Sequence, residues 1–336
     1  MPASPLARRL LLVAVLGAVL LGLVGFVFGA VGSKMFGTHR LLGIPEVHLP
    51  PQPIFPASSR DEHLGLITSQ AYKDKSDKVG EGEKKHSTPL DITEFAVTNT
   101  LLSAWLATIV MVLFFVLGAR RKSLVPGRLQ GLVETFFEGV LSFSNGVVGP
   151  EMARKAFPVV ATIFFFVLFN AWLALFPFYE FFGFVRAGHG FITSEEMKAP
   201  LLRSAGTDLN MPLALALISF VFVEYWGLRA HGFAYFRKFF AFGGLLRGKV
   251  TGLIDAFVGI LEFISELVRL VSFTFRLFGN MTAGVILVVM FTFLVPFVAV
   301  QIAFGLELLV GLIQSIIFAG LTLVFLSLAV RHGEGE

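Results

Sequence analysis

A few charged and amide side chains lie within the most apolar part of the chain, and these residues are the best placed to do chemistry. Across residues 252–330 the charged residues are Asp255, Glu262, Glu266, Arg269, Arg276 and Glu307. Carboxylates can take up and release protons, whereas an arginine stays charged because its side-chain pKa exceeds about 12. A charge in mid-membrane costs roughly 2.5–3.5 kcal/mol on insertion scales, so such residues by default indicate function.

The spacing of these residues places them on one side of a helix. Positions separated alternately by four and three residues share a helical face. The first stripe follows this progression and is flanked by Ser265 and Ser272; its members are Glu262, Glu266, Arg269, Phe273, Arg276 and Asn280. A second stripe in the next segment advances in steps of four, three and four: Glu307, Gly311, Gln314 and Phe318.

The members of the first stripe differ in what could neutralise them. Glu262, Glu266 and Arg269 lie near one end of their segment and could pair with each other or with lipid headgroups. Arg276 lies near the middle, and the next thirty residues contain no charge. Its counter-charge must therefore come from Glu307, from further along its own stripe, or from another protein. Asn280 and Gln314 alone prove nothing, since amides are ordinary hydrogen-bond partners between membrane helices.

The elements that must position these side chains are membrane helices. Of 336 residues, 55% are hydrophobic and 15% charged, against about 45–50% and about 25% in soluble domains. A helix needs roughly 20 apolar residues to cross a bilayer, and six segments reach or approach that length: 10–32, 97–118, 158–178, 211–228, 253–292 and 293–330. Backbone groups in lipid must bond within their own segment, which predicts an all-α polytopic membrane protein.

Composition also excludes several classes of function. The chain contains no cysteine, so disulfide frameworks, thiolate metal sites and thiol catalysis are ruled out. A net charge of only +4 gives no support for nucleic-acid binding. We also find no nucleotide-binding loop, and nothing in the sequence predicts a cofactor or a metal.

The basic residues predict the orientation of the chain. They cluster beside four of the segment ends: Arg8, Arg9, Arg120, Arg121, Lys122, Arg128, Arg229, Arg237, Lys238, Arg247, Lys249 and Arg331. Placing these clusters in the cytoplasm puts both termini inside and the loops 33–96 and 179–210 outside. Segment 1–32 is then either an uncleaved anchor, which its long apolar run favours, or a signal peptide cleaved near Gly32.

Two further stretches are not spans. Residues 33–96 are polar, with proline-rich and Lys/Glu-rich parts, which is typical of a poorly ordered or partner-bound external segment and not of a domain. Residues 128–147 show apolar side chains at helical spacing on one face, which predicts an interfacial amphipathic helix. The short run 239–246 is best interpreted as interfacial or re-entrant.

The last two segments are too long for simple crossing. Forty helical residues extend about 60 Å, twice the thickness of the hydrocarbon core. Such helices must tilt strongly, lie partly along the membrane plane, or break. With Pro296 at the turn between them, segments 253–292 and 293–330 are predicted to form a hairpin of two long tilted helices, which would offer an extended wall inside the membrane.

At this point the sequence resembles a known family. Residues 275–284, which read F-R-L-F-G-N-M-T-A-G, are similar to the signature of subunit a of F-type ATP synthases, in which R-L-F-G-N-M carries the essential arginine. Gln314 stands in L-I-Q-S-I-I-F, similar to the family's L-Q-A-x-I-F run. The Asp208 to Asn210 run, and Asn170 with Pro177, resemble further family positions. The resemblance covers roughly 91–331 and is most specific in 262–331.

The resemblance implies a proton-translocating stator subunit of a bacterial plasma membrane, which is not an enzyme on its own. The hairpin would face a rotating ring of c subunits. Arg276 would meet each arriving ring carboxylate, favour its ionised form, and separate two aqueous half-channels. The implied external half-channel is lined by Glu307, Gln314 and Asn280. The implied cytoplasmic half-channel is lined by Glu262, Ser265 and Glu266.

One departure from the family pattern affects the external half-channel. Many members carry a glutamate nine residues after the arginine, and that position is Val285 here. They commonly carry a histidine or an acid seven residues before the glutamine, and that position is Glu307. The resemblance therefore implies that Glu307 supplies the carboxylate that position 285 lacks.

The implied partners are the c-ring, b-type peripheral-stalk subunits and the soluble ATPase head, within the lipid bilayer. Two alternatives compete with this interpretation. A self-contained secondary transporter or ion channel usually shows internal repeats and broken helices, and no convincing repeat is found. A purely structural membrane anchor would not need Arg276 in mid-membrane.

Overall fold

The computed structural model describes residues 5–39, 42, 51–55, 96–120, 127–176, 179, 183–185, 197–232, 235 and 250–331. Most of segment 33–96, the run 239–246, Pro177 and the basic residues at 121, 122, 237, 238, 247 and 249 lie outside the described residues. The side chains of Arg8, Arg9, Asp255 and Arg331 do so too.

The described chain is mainly helical. Its helices are α1 (Pro5–Phe28), α2 (Ala30–Phe36), α3 (Asn99–Ala119), α4 (Arg128–Val148), α5 (Pro150–Ala174), α6 (Asn210–His231), α7 (Val250–Leu294) and α8 (Val298–Arg331). A short 3₁₀ turn spans Ala205–Thr207. Two small antiparallel sheets pair β1 (Pro53–Phe55) with β2 (Val97–Thr98), and β3 (Gly183–Val185) with β4 (Met197–Pro200).

Five of the described helices are long and apolar enough to cross a membrane: α3, α5, α6, α7 and α8. The pair α1 and α2 would make a sixth span, but the two helices meet at an angle of 65°. The break falls at Gly29, whose extended backbone (φ −72°, ψ 174°) is not helical. The prediction of an all-α polytopic membrane protein with about six segments is confirmed, while segment 10–32 is bent instead of straight.

Helix α7 runs without interruption for 45 residues, and α8 for 34. Segments of this length were expected to tilt, to lie along the membrane plane or to break. Neither helix is broken. The turn between them covers residues 295–297, slightly later than the predicted boundary, because Val295 still donates its N–H to the Phe291 carbonyl at 3.0 Å. Pro296 then has no N–H to continue the helix, and Phe297 adopts a positive φ of 73°.

The chain divides into two compact units. The first comprises Met1–Asn99, Ala174–Arg203 and Asn280–Val310. In this unit the glycines of the N-terminal helices allow close packing against the turn after α7. A Cβ at Gly22 would lie 3.1 Å from the Val298 side chain, and a Cβ at Gly25 would collide with the Pro296 carbonyl oxygen. The N-terminal segment therefore contacts the hairpin turn through its backbone.

Asn99 ties together three parts of the same unit. Its side-chain oxygen accepts a hydrogen bond from the Gln52 N–H at 3.1 Å, and its own N–H donates to the Gln52 carbonyl at 3.0 Å. Its side-chain nitrogen donates to the Pro200 carbonyl at 3.3 Å. Asn99 is fully buried, so these bonds satisfy a side chain that would otherwise be costly to bury. Two predicted external loops thus meet at the start of α3.

The second unit comprises Thr100–Leu173, Ser204–Gly279 and Gly311–Glu336, and it contains the main apolar core. Phenylalanine dominates this core: the ring of Phe115 lies 4.6 Å from that of Phe165 and 5.0 Å from that of Phe137. Interlocking aromatic rings add stabilisation beyond the area they bury. Helix α4 joins the core through the buried Val140, while its interfacial location stays a prediction.

Candidate functional site

In the second unit a cavity of about 420 Å³ lies along one face of α7. The residues that line it come from α7, from α8 and from the segment after α6: Tyr235, Glu262, Ser265, Glu266, Val268, Arg269, Ser272, Phe273, Arg276, Leu321, Phe325, Leu328 and Ala329. The structure therefore brings Glu262, Ser265 and Glu266 together with Arg276 around one space. Arg269 and Arg276 are the cations at this cavity.

Arg269 is held by partners on three helices. Its guanidinium forms an ion pair with Glu266, one turn earlier on α7, and lies 3.5 Å from the Glu224 carboxylate of α6. Its Cζ atom lies 4.5 Å from the centre of the Phe325 ring of α8, within the range of a cation–π contact. The side chain is 12% exposed. Its charge is thus neutralised inside the chain.

Arg276 differs from Arg269 although it lies only two turns further along α7. It is half-buried and borders the cavity. Among the residues of this unit that the structure describes, it forms no ion pair and donates no hydrogen bond. A half-buried arginine in an apolar helix needs a counter-charge, so Arg276 is available to a negative group that approaches from elsewhere.

A second arrangement belongs to the first unit and is centred on Glu307. The side chain is 7% exposed, and its carboxylate lies directly against the backbone of Gly284 on α7. A Cβ placed on Gly284 would collide with both carboxylate oxygens. Only glycine at position 284 leaves this space for the carboxylate. The Glu307 carboxylate therefore lies one residue away from position 285 on α7.

The two amides predicted for the site have different surroundings. Asn280 is exposed on α7, one turn beyond Arg276. Gln314, in the second unit, is only 2% exposed. It stands next to Gly311, which packs against the side chains of Ala171 and Trp172 of α5; a Cβ there would lie 2.8 Å from that of Ala171. The stripe of α8 is therefore a packed helix contact at this level.

The structure groups the predicted residues only in part. Glu262, Ser265, Glu266 and Arg276 share the cavity, while Asn280 and Gln314 do not line it. The alternative that the carboxylates and Arg269 pair with each other holds for Glu266 and Arg269. Whether any of these residues lines a proton path stays a prediction.

Three participants were missed by reasoning from the stripes. Glu224 was visible as a charge inside the apolar run of α6, but nothing in the sequence indicated that it pairs with Arg269. Gly284 was part of the signature run, but nothing in the sequence indicated that the Glu307 carboxylate packs against it. Tyr235 follows α6 in a stretch without periodicity, so no local pattern could have singled it out.

The fold and these clusters define a polytopic helical membrane protein with ionisable groups set into two long C-terminal helices. The comparison with protein families identifies the class more closely, since residues 101–327 match the model of the ATP synthase A chain. The chain belongs to this family.

Curated relatives agree with this assignment and carry the name ATP synthase subunit a. One from Helicobacter acinonychis is 30% identical over 72% of this chain and 95% of its own length. Another from Campylobacter concisus is 34% identical over 68% of this chain and 88% of its own length. A third from Gloeobacter violaceus is 31% identical over 70% of this chain and 85% of its own length.

Proposed function

We propose that this chain is the proton-translocating stator subunit of an F-type ATP synthase. In this role it carries out no ATP chemistry itself. It works with a c-ring, b-type peripheral-stalk subunits and a soluble ATPase head, in a bacterial plasma membrane with both termini in the cytoplasm. Membership of the family supports the role. The observation that carries the mechanism is that Arg276, at the cavity, has no ion pair or hydrogen bond with the described residues of its unit.

In this mechanism Arg276 is the counter-charge for a carboxylate of the ring. A guanidinium opposite a carboxylate favours its ionised form, so the ring carboxylate releases its proton when it arrives. The permanent charge of Arg276 also prevents a proton from passing straight between the two sides. Each proton must then travel with the ring, which makes it rotate under a driving force of about 2.3 kcal/mol per charge per 100 mV.

The cavity beside Arg276 is the proposed cytoplasmic half-channel. Glu262, Ser265 and Glu266 give it polar groups over little more than one turn of α7, and Arg276 follows Glu266 by roughly three turns. Glu266 is paired with Arg269, and the proposal assigns Glu262, Ser265 and Glu266 together to the proton path.

Glu307 is the proposed proton-handling carboxylate of the external half-channel, together with Asn280 and Gln314. The contact between its carboxylate and Gly284 supports the assignment. A side chain from α8 thereby delivers an acid to the backbone next to position 285, where many relatives would carry one on α7. The acid is kept although the helix that supplies it differs.

Purification tests the function as a whole. Mild solubilisation of the membrane and capture of this chain should bring down an oligomeric ring and a water-soluble ATPase. Recovery of a stable lone oligomer that transports ions by itself would contradict the proposal and favour a secondary transporter or channel.

Cross-linking tests which face of the chain meets the ring. The native chain has no cysteine, so one introduced cysteine reports one position. Ser272→Cys places a thiol on an exposed site of α7, one turn before Arg276. We expect it to cross-link to a cysteine placed near the ring carboxylate, whereas Trp105→Cys on α3, 52% exposed, should not. Equal cross-linking from both positions would contradict the proposed contact.

A further inference from the structure

Tyr235 belongs to the cavity although it lies in neither helical stripe nor the family signature. It follows the end of α6 by four residues, yet the residue is only 5% exposed. Its side chain returns toward α6, where its hydroxyl donates a hydrogen bond to Glu224. The same side chain lines the cavity that contains Arg269 and Arg276.

The ring of Tyr235 is fixed on two sides. Gly227 leaves the space it occupies, since a Cβ at that position would lie 2.6 Å from the ring carbon Cζ. The imidazole of His231 stacks on it, with centroids 6.4 Å apart and planes 14° from parallel. His231 in turn lies 3.1 Å from the Ala329 carbonyl oxygen of α8. These contacts fix the ring beside α6, the helix that carries Glu224.

The hydroxyl can serve as a hydrogen-bond donor at any physiological pH. Burial raises the pKa of Tyr235 above its usual value, and the nearby Glu224 and Glu266 carboxylates raise it further, against a smaller opposing effect of Arg269. The group therefore stays protonated and neutral. Its ability to donate a hydrogen bond therefore does not depend on its own titration.

Glu224 is shared between Tyr235 and Arg269. One of its carboxylate oxygens lies 3.5 Å from the Arg269 guanidinium. This distance is long for an ion pair, so the strength of the pair depends on the position of the carboxylate. A neutral donor on the same carboxylate restrains it without competing for its charge. Arg269 is thus kept between two acids, Glu266 and Glu224.

We propose that Tyr235 is a positioning residue for proton translocation: it holds Glu224 on Arg269, which leaves Arg276 as the cation that the ring carboxylate meets. The proposal rests on the proposed function. When the hydroxyl is lost, Glu224 is released, Arg269 is less firmly neutralised, and two cations compete for the arriving carboxylate. The ring carboxylate then pairs with either arginine instead of with Arg276 alone, and pumping slows.

The test uses the complete complex in inverted membrane vesicles, with ATP-driven proton pumping as the readout. Tyr235→Phe keeps the ring and removes the hydroxyl. We expect pumping to fall about two- to tenfold, as for the loss of one hydrogen bond, with the amount of assembled complex unchanged. Gly227→Ala should give a similar fall, because its Cβ displaces the ring.

Matched controls are available on the same chain. Tyr225→Phe removes a tyrosine hydroxyl whose hydrogen bond among the described residues comes from the exposed Arg229 at 3.1 Å. Gly146→Ala adds a Cβ to a helical glycine of α4 with no atom within 4 Å. Both variants should pump like the native complex.

A double variant separates positioning from general destabilisation. In a Glu224→Gln background the hydroxyl has no carboxylate to hold, so Tyr235→Phe should cause no further loss of pumping. An undiminished loss in that background, or native pumping by Tyr235→Phe, would overturn the proposal. Arg276→Ala in the same vesicles distinguishes failure of the proposed function from failure of the positioning role. If Arg276→Ala pumps normally, the proposed function is wrong. If Arg276→Ala does not pump while Tyr235→Phe pumps normally, only the positioning role is wrong.

Discussion

Arg269 and Arg276 stand two turns apart on one helix and border one cavity, yet their surroundings are opposite. Arg269 has two carboxylates and an aromatic ring around its guanidinium. Arg276 has no ion pair or hydrogen bond within the described part of its unit. The two arginines of α7 therefore differ in their surroundings: Arg269 joins helices, and Arg276, in the proposed mechanism, meets the ring carboxylate.

The contrast shows that burial alone does not identify a functional charge. Both arginines lie in an apolar segment, and insertion cost makes both candidates for function. What separates them is whether a counter-charge lies among the described residues of the same unit. An arginine that is already neutralised gains little from a new carboxylate, whereas an unpaired one gains a full ion pair.

The largest expected effect follows from removing the unpaired arginine. Arg276→Ala should abolish ATP-driven proton pumping. In the proposed mechanism no other group drives release of the proton from the ring carboxylate. Assembly should remain largely intact, since Arg276 forms no ion pair or hydrogen bond with the described residues of its unit. Pumping in vesicles and the yield of purified complex measure the two quantities. Normal pumping would remove the distinction between the two arginines.

Removing the paired arginine should act mainly on stability. Arg269→Ala leaves the partly exposed Glu266 and Glu224 without their cation. Breaking a fully buried pair from one side costs about 3–5 kcal/mol, and we expect a smaller cost here because water screens these carboxylates. We expect less subunit in the membrane and a lower melting temperature in detergent, while the complex that does assemble still pumps. A variant of native stability that does not pump would instead place Arg269 in the proton mechanism.

Glu307 of the first unit and Glu262 at the cavity are two carboxylates with different expected effects. Glu307→Gln should lower proton uptake by at least about tenfold, as for loss of a proton-transfer group, because no other acid among the described residues of its unit lies near Gly284. Glu262→Gln is the matched change in the cavity and should have the smaller effect. ATP synthesis at the native rate in Glu307→Gln would show that Glu307 does not replace the acid missing from position 285.

The smallest effect is expected from moving the Glu307 carboxylate without removing it. Gly284→Ala forces the carboxylate away from the α7 backbone, and overpacking of this kind costs about 1–3 kcal/mol. Synthesis should fall less than in Glu307→Gln. The control is Gly305→Ala on α8, where a Cβ meets no atom within 4 Å. Equal rates in both glycine variants would mean that the position of the carboxylate is unimportant.

The apolar segments and the stripes were accessible from the sequence because both are local patterns. Lengths of apolar residues predicted the spans, and steps of four and three placed Glu262 and Arg276 on one face of α7. The pairing of Arg269 with Glu224 was not accessible, since it joins residues 45 positions apart on different helices. The bend at Gly29 was also missed, because glycines are common in membrane helices and only packing decides which one leaves the helix.

The bonds of Asn99 have a consequence for the order of events during synthesis. Its partner Gln52 is already made when Asn99 leaves the ribosome, whereas Pro200 follows 101 residues later. At about 5–20 residues per second, the nascent chain waits roughly 5 to 20 seconds for that last partner. During this time Asn99 can form its two bonds to Gln52 but not the third, so this junction closes late, after the chain up to Pro200 has been made.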